Sequence, residues 1–184
     1  MPEFKGWHSR GYLPHFDSPE TTQFVTFRLA DSLPRGLANQ QKLTSNAFDR
    51  LERQLDSGLG ACWLRQPEIA ALVERAFLHF DGSRYRLIAW CIMPNHVHVL
   101  VTLSDSHTLT SIVGSWKSFT AKQANTLLGR SGAFWEADYF DRYIRTEEHF
   151  AWTVAYTENN PVKAGLCANA AEWPWGSARL IGEA

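Results

Sequence analysis

An α+β domain, an antiparallel sheet with helices packed on it, is the fold class this sequence predicts. Three short stretches alternate apolar and polar positions in β-branched and aromatic residues, four longer ones repeat apolar residues at helical spacing, and two of the strands are joined by a short connection that favours an antiparallel hairpin. The order is strand, helix, helix, hairpin, helix, helix.

The first strand is "TQFVTFRL" (22–29), where Phe24, Thr26 and Arg28 face away from Val25, Phe27 and Leu29. "NQQKLTSNAFDRLERQL" (39–55) follows as a helix on Leu43, Phe48, Leu51 and Leu55. "QPEIAALVERAFLHF" (66–80) is a second helix, with Pro67 in the first turn and Ile69, Leu72, Val73, Ala76, Phe77 and Phe80 on one stripe, closed by Asp81 and Gly82. "RYRLIAWCIM" (84–93) and "NHVHVLVTL" (95–103) are strands joined through Met93, Pro94 and Asn95, and they are expected at the centre of the sheet. The third helix, 109–129, carries Ile112, Trp116, Phe119 and Gln123 and stops at Gly129. The fourth, 146–160, opens with Thr146 as a cap and Glu147 and Glu148 in its first turn, and Pro161 follows it. One domain is expected over 1–184, with 1–20 an irregular N-terminal segment and 165–184 a C-terminal tail.

Composition narrows the function classes. The 184 residues, 45% hydrophobic and 20% charged, are enough for a globular core without a covalent staple. Three scattered cysteines, Cys62, Cys91 and Cys167, read as reduced thiols of a cytosolic protein. No run reaches the ~18 apolar residues of a membrane span. A net charge of −1 means that a polyanionic partner must be met by a local basic surface. Such cations are Lys117, Lys122 and Arg130 on and after the third helix, and Arg142 and Arg145 beyond it, with tryptophans available to stack bases. A solvated helix face and core tryptophans would account for the same residues.

"IMPNHVHVLV" (92–101) places His96 and His98 on one face of a strand and Val97 and Val99 on the other. Two imidazoles so placed can chelate one divalent ion, and the same pattern fits two solvated histidines. With an added amide or carboxylate ligand, such a site suits Mg²⁺ or Mn²⁺ better than a closed structural zinc. In "AYTENNPVKAG", Tyr156 and Asn160 stand one helical turn apart, a phenol and a carboxamide facing the same neighbour. A core tyrosine and a helix-ending Asn-Pro are the plainer account of each alone.

"MPNHVHVLV", "FWEADYFDRYIRTEEHF", "YTENNPVKAGL" and "WPWGSARL", in this order and spacing, resemble the REP-associated tyrosine transposases, within the HUH single-tyrosine transposases of bacterial insertion sequences. The likeness runs from about residue 20 to 180. It implies a ferredoxin-like sheet with the HUH pair on a central strand, a nucleophilic tyrosine on a helix, a divalent metal (Mg²⁺ or Mn²⁺), and a bacterial cytoplasmic protein acting as monomer or homodimer. Carried over, His96 and His98 are metal ligands, Asn160 completes the site, Tyr156 is the nucleophile and Lys163 meets the family's basic position. Tyr139 and Tyr143 are competing tyrosines without a neighbouring amide. Gly176 replaces a serine of the family's ending. The implied reaction is nicking and strand transfer of single-stranded DNA hairpins through a 5′-phosphotyrosine. A metal phosphodiesterase using water and a nucleic-acid-binding protein without catalysis are the alternatives. The segment "GWHSRGYLPHF", with Trp7, His8, Arg10, Tyr12 and His15, is a further candidate for DNA contact.

Overall fold

The computed structural model describes residues 4–9, 14–33 and 45–180. The chain opens with a two-stranded hairpin, β1 (Gly6–Ser9) and β2 (Pro14–Asp17). Then come β3 (Thr22–Arg28), α1 (Ser45–Asp56), α2 (Pro67–Leu78), β4 (Tyr85–Ile92), β5 (His96–Leu103), α3 (Leu109–Leu127), β6 (Phe140–Tyr143) and α4 (Glu147–Lys163). The main sheet has the order β4-β5-β3-β6, antiparallel throughout, which is the ferredoxin-like arrangement. Of the helix expected over 39–55, residues 39–44 lie outside the described ones.

Register sorts the two faces of the sheet. Opposite β3, His98 pairs with Thr26, His96 with Arg28 and Leu100 with Phe24, so these six side chains share one face. Val25, Phe27 and Leu29, with Val97, Val99 and Val101, form the other face and meet Ile69, Val73 and Phe77 of α2 and Ile112 and Trp116 of α3 in the large apolar core. The histidine face has a far smaller apolar cluster, Phe24, Ala89 and Leu100, with Phe150, Val154 and Tyr156 of α4 against it. The polar layer is therefore confined to one side of the sheet.

Three differences from the sequence expectations have physical causes. On α3 the buried row turns to Thr120 and Ala124, leaving Phe119 half exposed, because Thr120 Oγ1 accepts from Trp135 Nε1 at 2.8 Å and so serves a buried indole. Helix α4 does not stop before Pro161 but runs to Lys163. Gly165, at φ +71°, ends it in a paired cap, with Gly165 N donating to Val162 O and Leu166 N to Pro161 O.

The third difference is the N-terminal segment, expected to be irregular, which pairs as β1 and β2; Arg10 and Tyr12 lie outside the described residues. The hairpin is fastened to β6 by His15, whose ring bonds Asp141 through Nδ1 and Asp138 through Nε2, the latter at 3.0 Å. Phe16 N adds a bond to Asp141 Oδ2 at 3.0 Å. At the other edge, the C-terminal segment covers β4. Ile92 N donates to Trp175 O at 2.8 Å, Trp173 Nε1 to Ile92 O at 3.1 Å and Trp90 N to Ser177 Oγ at 3.1 Å.

Burial works against a charged His15 ring, but hydrogen bonds to Asp138 and Asp141 and their charges outweigh it and raise its pKa from 6.5 to about 9. A pKa raised on folding stabilises fully below the unfolded value and is lost as pH climbs through the folded one. Urea melts at pH 6 and pH 9.5 are expected to show a larger loss of stability for the wild type than for His15→Gln; equal losses would remove His15 as the cause.

Candidate metal and tyrosine site

The strand geometry turns both histidine rings into the layer between the sheet and helices α1 and α4, where each is fully buried. Their Nε2 atoms lie 3.1 Å apart, and Glu52 Oε2 of α1 is 3.1 Å from His98 Nε2. One ligand atom each from Glu52, His96 and His98 thus fall within 4.8 Å of one another.

Neighbouring residues set the tautomers. Asn95 Nδ2 donates to Leu59 O at 2.9 Å, which orients the amide so that its oxygen faces His96 Nδ1 at 2.8 Å. Nδ1 of His96 must then carry the proton, leaving Nε2 with its lone pair toward Glu52 and His98. Burial first, then the neighbouring charge of His98, hold the His96 pKa down at about 3, so the ring is neutral. His98 Nδ1 lies 2.9 Å from Thr26 Oγ1. A hydroxyl can donate or accept, so Thr26 can serve either tautomer of His98.

Glu52 connects the histidines to α4. Tyr156 Oη donates to Glu52 Oε2 at 2.6 Å, and the Tyr156 ring meets His98 edge-on at 5.8 Å. Burial disfavours the Glu52 carboxylate, but the charge and hydrogen bond of His98 outweigh that and bring its pKa down to about 2. Burial and the negative charge of Glu52 push the Tyr156 phenol well above the usual range, with only a slight opposing effect of Asn160. Lys163 Nζ sits 5.4 Å over the Tyr156 ring and 3.6 Å from Asp56 Oδ2, and Asp56 Oδ1 is 4.0 Å from His96 Nε2.

A divalent cation fits these residues. Glu52 Oε1, Asp56 Oδ1 and both side-chain heteroatoms of Asn160 are buried without a hydrogen-bond partner among the described residues. Two imidazole nitrogens and an anionic oxygen of Glu52 within 4.8 Å of one another, with Asp56 Oδ1 4.0 Å from His96 Nε2, make a mixed N and O donor set whose polar atoms want a charge between them.

Glu52 and Asp56 are absent from the sequence reading. They stand one turn apart in "LERQLD", a like-charge pair that costs an isolated helix stability, and the spacing argument applied to Tyr156 and Asn160 would have singled them out.

Residues 71–160 match the sequence model of the family described as "Transposase IS200 like". The matched stretch contains His96, His98, Tyr156 and Asn160, whereas Glu52 comes from the chain before it. A protein of Haemophilus influenzae provisionally named a REP-associated tyrosine transposase is 26% identical over 103 residues, covering 50% of this chain and 58% of its own length. The REP-associated tyrosine transposase of Escherichia coli K12 is 26% identical over 91 residues, covering 50% of this chain and 53% of its own. The chain therefore spans little more than half the length of the relatives it matches. A solved REP-associated tyrosine transposase bound to a REP hairpin is 19% identical and superimposes with a TM-score of 0.57 over 98% of this chain and 84% of that one, a likeness of fold.

The competing tyrosines are occupied elsewhere. Tyr139 is buried on His15, ring centroids 4.5 Å apart, and Tyr143 packs on Phe16 at 4.5 Å. The basic candidates disperse. Lys117 gives its ammonium to the carbonyls of Glu136 and Ala137 at 2.6 and 2.7 Å, and Arg130 folds back on Asn125 and Ala133. Lys122 is exposed on α3, on the opposite side of the sheet from the histidines. Arg142 and Arg145 belong to β6 and the turn before α4.

Because Asn95 fixes the His96 tautomer, Asn95→Ala is expected to weaken Mn²⁺ binding roughly 10- to 100-fold. Calorimetric titration reads this, with circular dichroism melts to confirm that the variant folds; unchanged affinity would show that the tautomer is set without Asn95.

Proposed function

We propose that this protein nicks and rejoins single-stranded DNA at hairpin sequences through a covalent 5′-phosphotyrosine on Tyr156, in transposition or repeat processing in the bacterial cytoplasm. The observation that carries the reading is the hydrogen-bonded chain Tyr156–Glu52–His98, which sets a phenol beside the only buried Glu/His/His cluster among the described residues. The transposase relatives and the fold of a protein solved with a REP hairpin support it. Among the described residues no helix is long and apolar enough to cross a membrane, and Cys62, Cys91 and Cys167 are unpaired thiols.

His96, His98 and Glu52, completed by Asn160, would hold Mg²⁺ or Mn²⁺, which would supply Lewis-acid polarisation of the phosphodiester and neutralise its charge. The chain's own residues do the rest. Tyr156 Oη attacks phosphorus, a P–O bond to Tyr156 forms, and the P–O3′ bond breaks to leave a 3′-oxygen that takes up a proton as 3′-OH. Glu52 orients the phenol by accepting its hydrogen bond and is the nearest acceptor for its proton. The raised pKa of the phenol keeps Tyr156 protonated, so its proton has to leave, with Glu52 as the nearest acceptor, as the bond to phosphorus forms. Lys163, above the ring, stands where it can meet a phosphate oxygen. The covalent bond retains the energy of the broken one, so a second 3′-OH reverses the step without ATP.

Incubation of a labelled hairpin oligonucleotide with Mn²⁺ is expected to yield an adduct that survives denaturing electrophoresis. Tyr156→Phe should lower it by roughly 10³-fold or more, with folding intact. Cut product without adduct would identify water as the nucleophile, and binding without cleavage a protein that only holds DNA.

Metal occupancy has a separate signature. Mn²⁺ at a hundred times its Kd is expected to stabilise the wild type by about 2.7 kcal/mol. His98→Ala and Glu52→Gln should each lose most of that increment in a thermal melt; an undiminished increment in both would place the ion elsewhere.

A further inference from the structure

A second cleft, of about 410 Å³, lies where the N-terminal hairpin meets β6 and the start of α4, and Trp7, Phe16, Tyr143, Arg142, Arg145 and His149 line it. Its size falls within the roughly 300–1,000 Å³ of small-ligand sites. Trp7 is 61% exposed, yet its ring is held 5.2 Å from Phe16 and 5.9 Å from Tyr143. An indole kept in water but fixed by two other rings can stack on a flat ligand with little loss of conformational freedom.

The charge of the cleft is positive. Its one carboxylate, Asp141, is turned inward to His15 and to Phe16 N. Arg145 lies with its guanidinium 4.6 Å over the Tyr143 ring, and Arg142 is 5.7 Å over Phe140. Burial and then Arg142 and Arg145 depress the His149 pKa, so the ring adds no charge but reports the cationic field. Aromatic faces interleaved with arginine suit unpaired nucleotides, whose base faces are open to stacking, and not a duplex, whose faces are hidden.

The cleft also leads toward Tyr156. His149, Trp152 and Tyr156 stand at i, i+3 and i+7 on α4, one stripe covering roughly 10 Å of helix. Trp152 is 54% exposed and stacks on the Tyr156 ring, centroids 5.0 Å apart and planes within 18°. An aromatic path therefore runs from the hairpin cleft to the phenol.

We propose that this cleft is a subsite for an unpaired nucleotide of the DNA strand that reaches Tyr156. One base stacks on Trp7, Arg142 and Arg145 hold the adjoining phosphates, and Trp152 stacks the base nearest the phenol. The assignment rests on the strand-transfer reading of the histidine and tyrosine site for its choice of polymer, and on the cleft itself for its chemistry.

The test is fluorescence anisotropy of the full chain with a labelled dT 20-mer, a single strand that cannot form a hairpin. Trp7→Ala is expected to weaken binding roughly five- to 150-fold, the loss of one stacked base, while Trp7→Phe retains most of the affinity. Arg145→Gln, an exposed substitution that spares the hairpin, should weaken binding and reduce the slope of log Kd against log salt by about 0.7. No dT binding by the wild type, or wild-type affinity in both Trp7→Ala and Arg145→Gln, overturns the subsite. The adduct assay separates the two readings. Adduct with binding indifferent to Trp7 and Arg145 rejects the subsite alone, and Trp7-dependent binding without adduct keeps the subsite and rejects strand transfer.

Discussion

The carboxylate of Glu52 is the interaction on which the site depends. It is buried, ionised, and shared between a histidine of the sheet and the tyrosine of α4. An ion taken out of water at that depth costs several kcal/mol unless its partners are well placed, so α1, β5 and α4 have to meet in one arrangement. The same bond that aligns the phenol also suppresses its ionisation. The phenol is thus held in one orientation and kept protonated by the same carboxylate.

The sheet makes this possible by dividing its two faces between stability and chemistry. Val25, Phe27, Val97, Val99 and Val101 close the apolar face against α2 and α3 and supply most of the buried hydrophobic contact. The opposite face gives up that gain at Thr26, His96 and His98, where every polar atom has to be answered by another. Helix α4 pays part of this cost locally, since Thr153 and Thr157 return their hydroxyls to the carbonyls one turn back, at 2.7 and 2.8 Å. Asn160, buried on the same helix one turn beyond Tyr156, has no such local answer.

Both edges of the main sheet are covered by chain from the termini. At β4 the Trp-Pro-Trp-Gly-Ser segment supplies backbone and side-chain bonds to Trp90 and Ile92, so its two tryptophans work as a clasp. A Cβ at Gly176 would meet the Trp173 ring at 3.4 Å, an ordinary van der Waals contact, so the serine of the family's ending would also fit there. At β6 the hairpin is held by a charged His15 between two aspartates, and this attachment builds the wall of the aromatic cleft. The cleft is thus a consequence of how the edge is closed.

The local patterns of the sequence determined the class of fold, the hairpin that carries the two histidines, the face those histidines share, and the turn that separates Tyr156 from Asn160. These are short-range properties, set by periods of two and 3.6 residues and by Pro and Gly at element ends. Beside the family likeness, the amide of Asn160 one helical turn away distinguished Tyr156 from Tyr139. Only the tertiary structure decided that Glu52 joins the cluster, because its helix is packed across the sheet from a strand 44 positions later. It also decided that Lys117 serves backbone carbonyls and that Trp7 and Arg145 line one cleft. Burial, the direction of a side chain and the charge of its neighbours depend on which distant segments meet, and no local spacing encodes that.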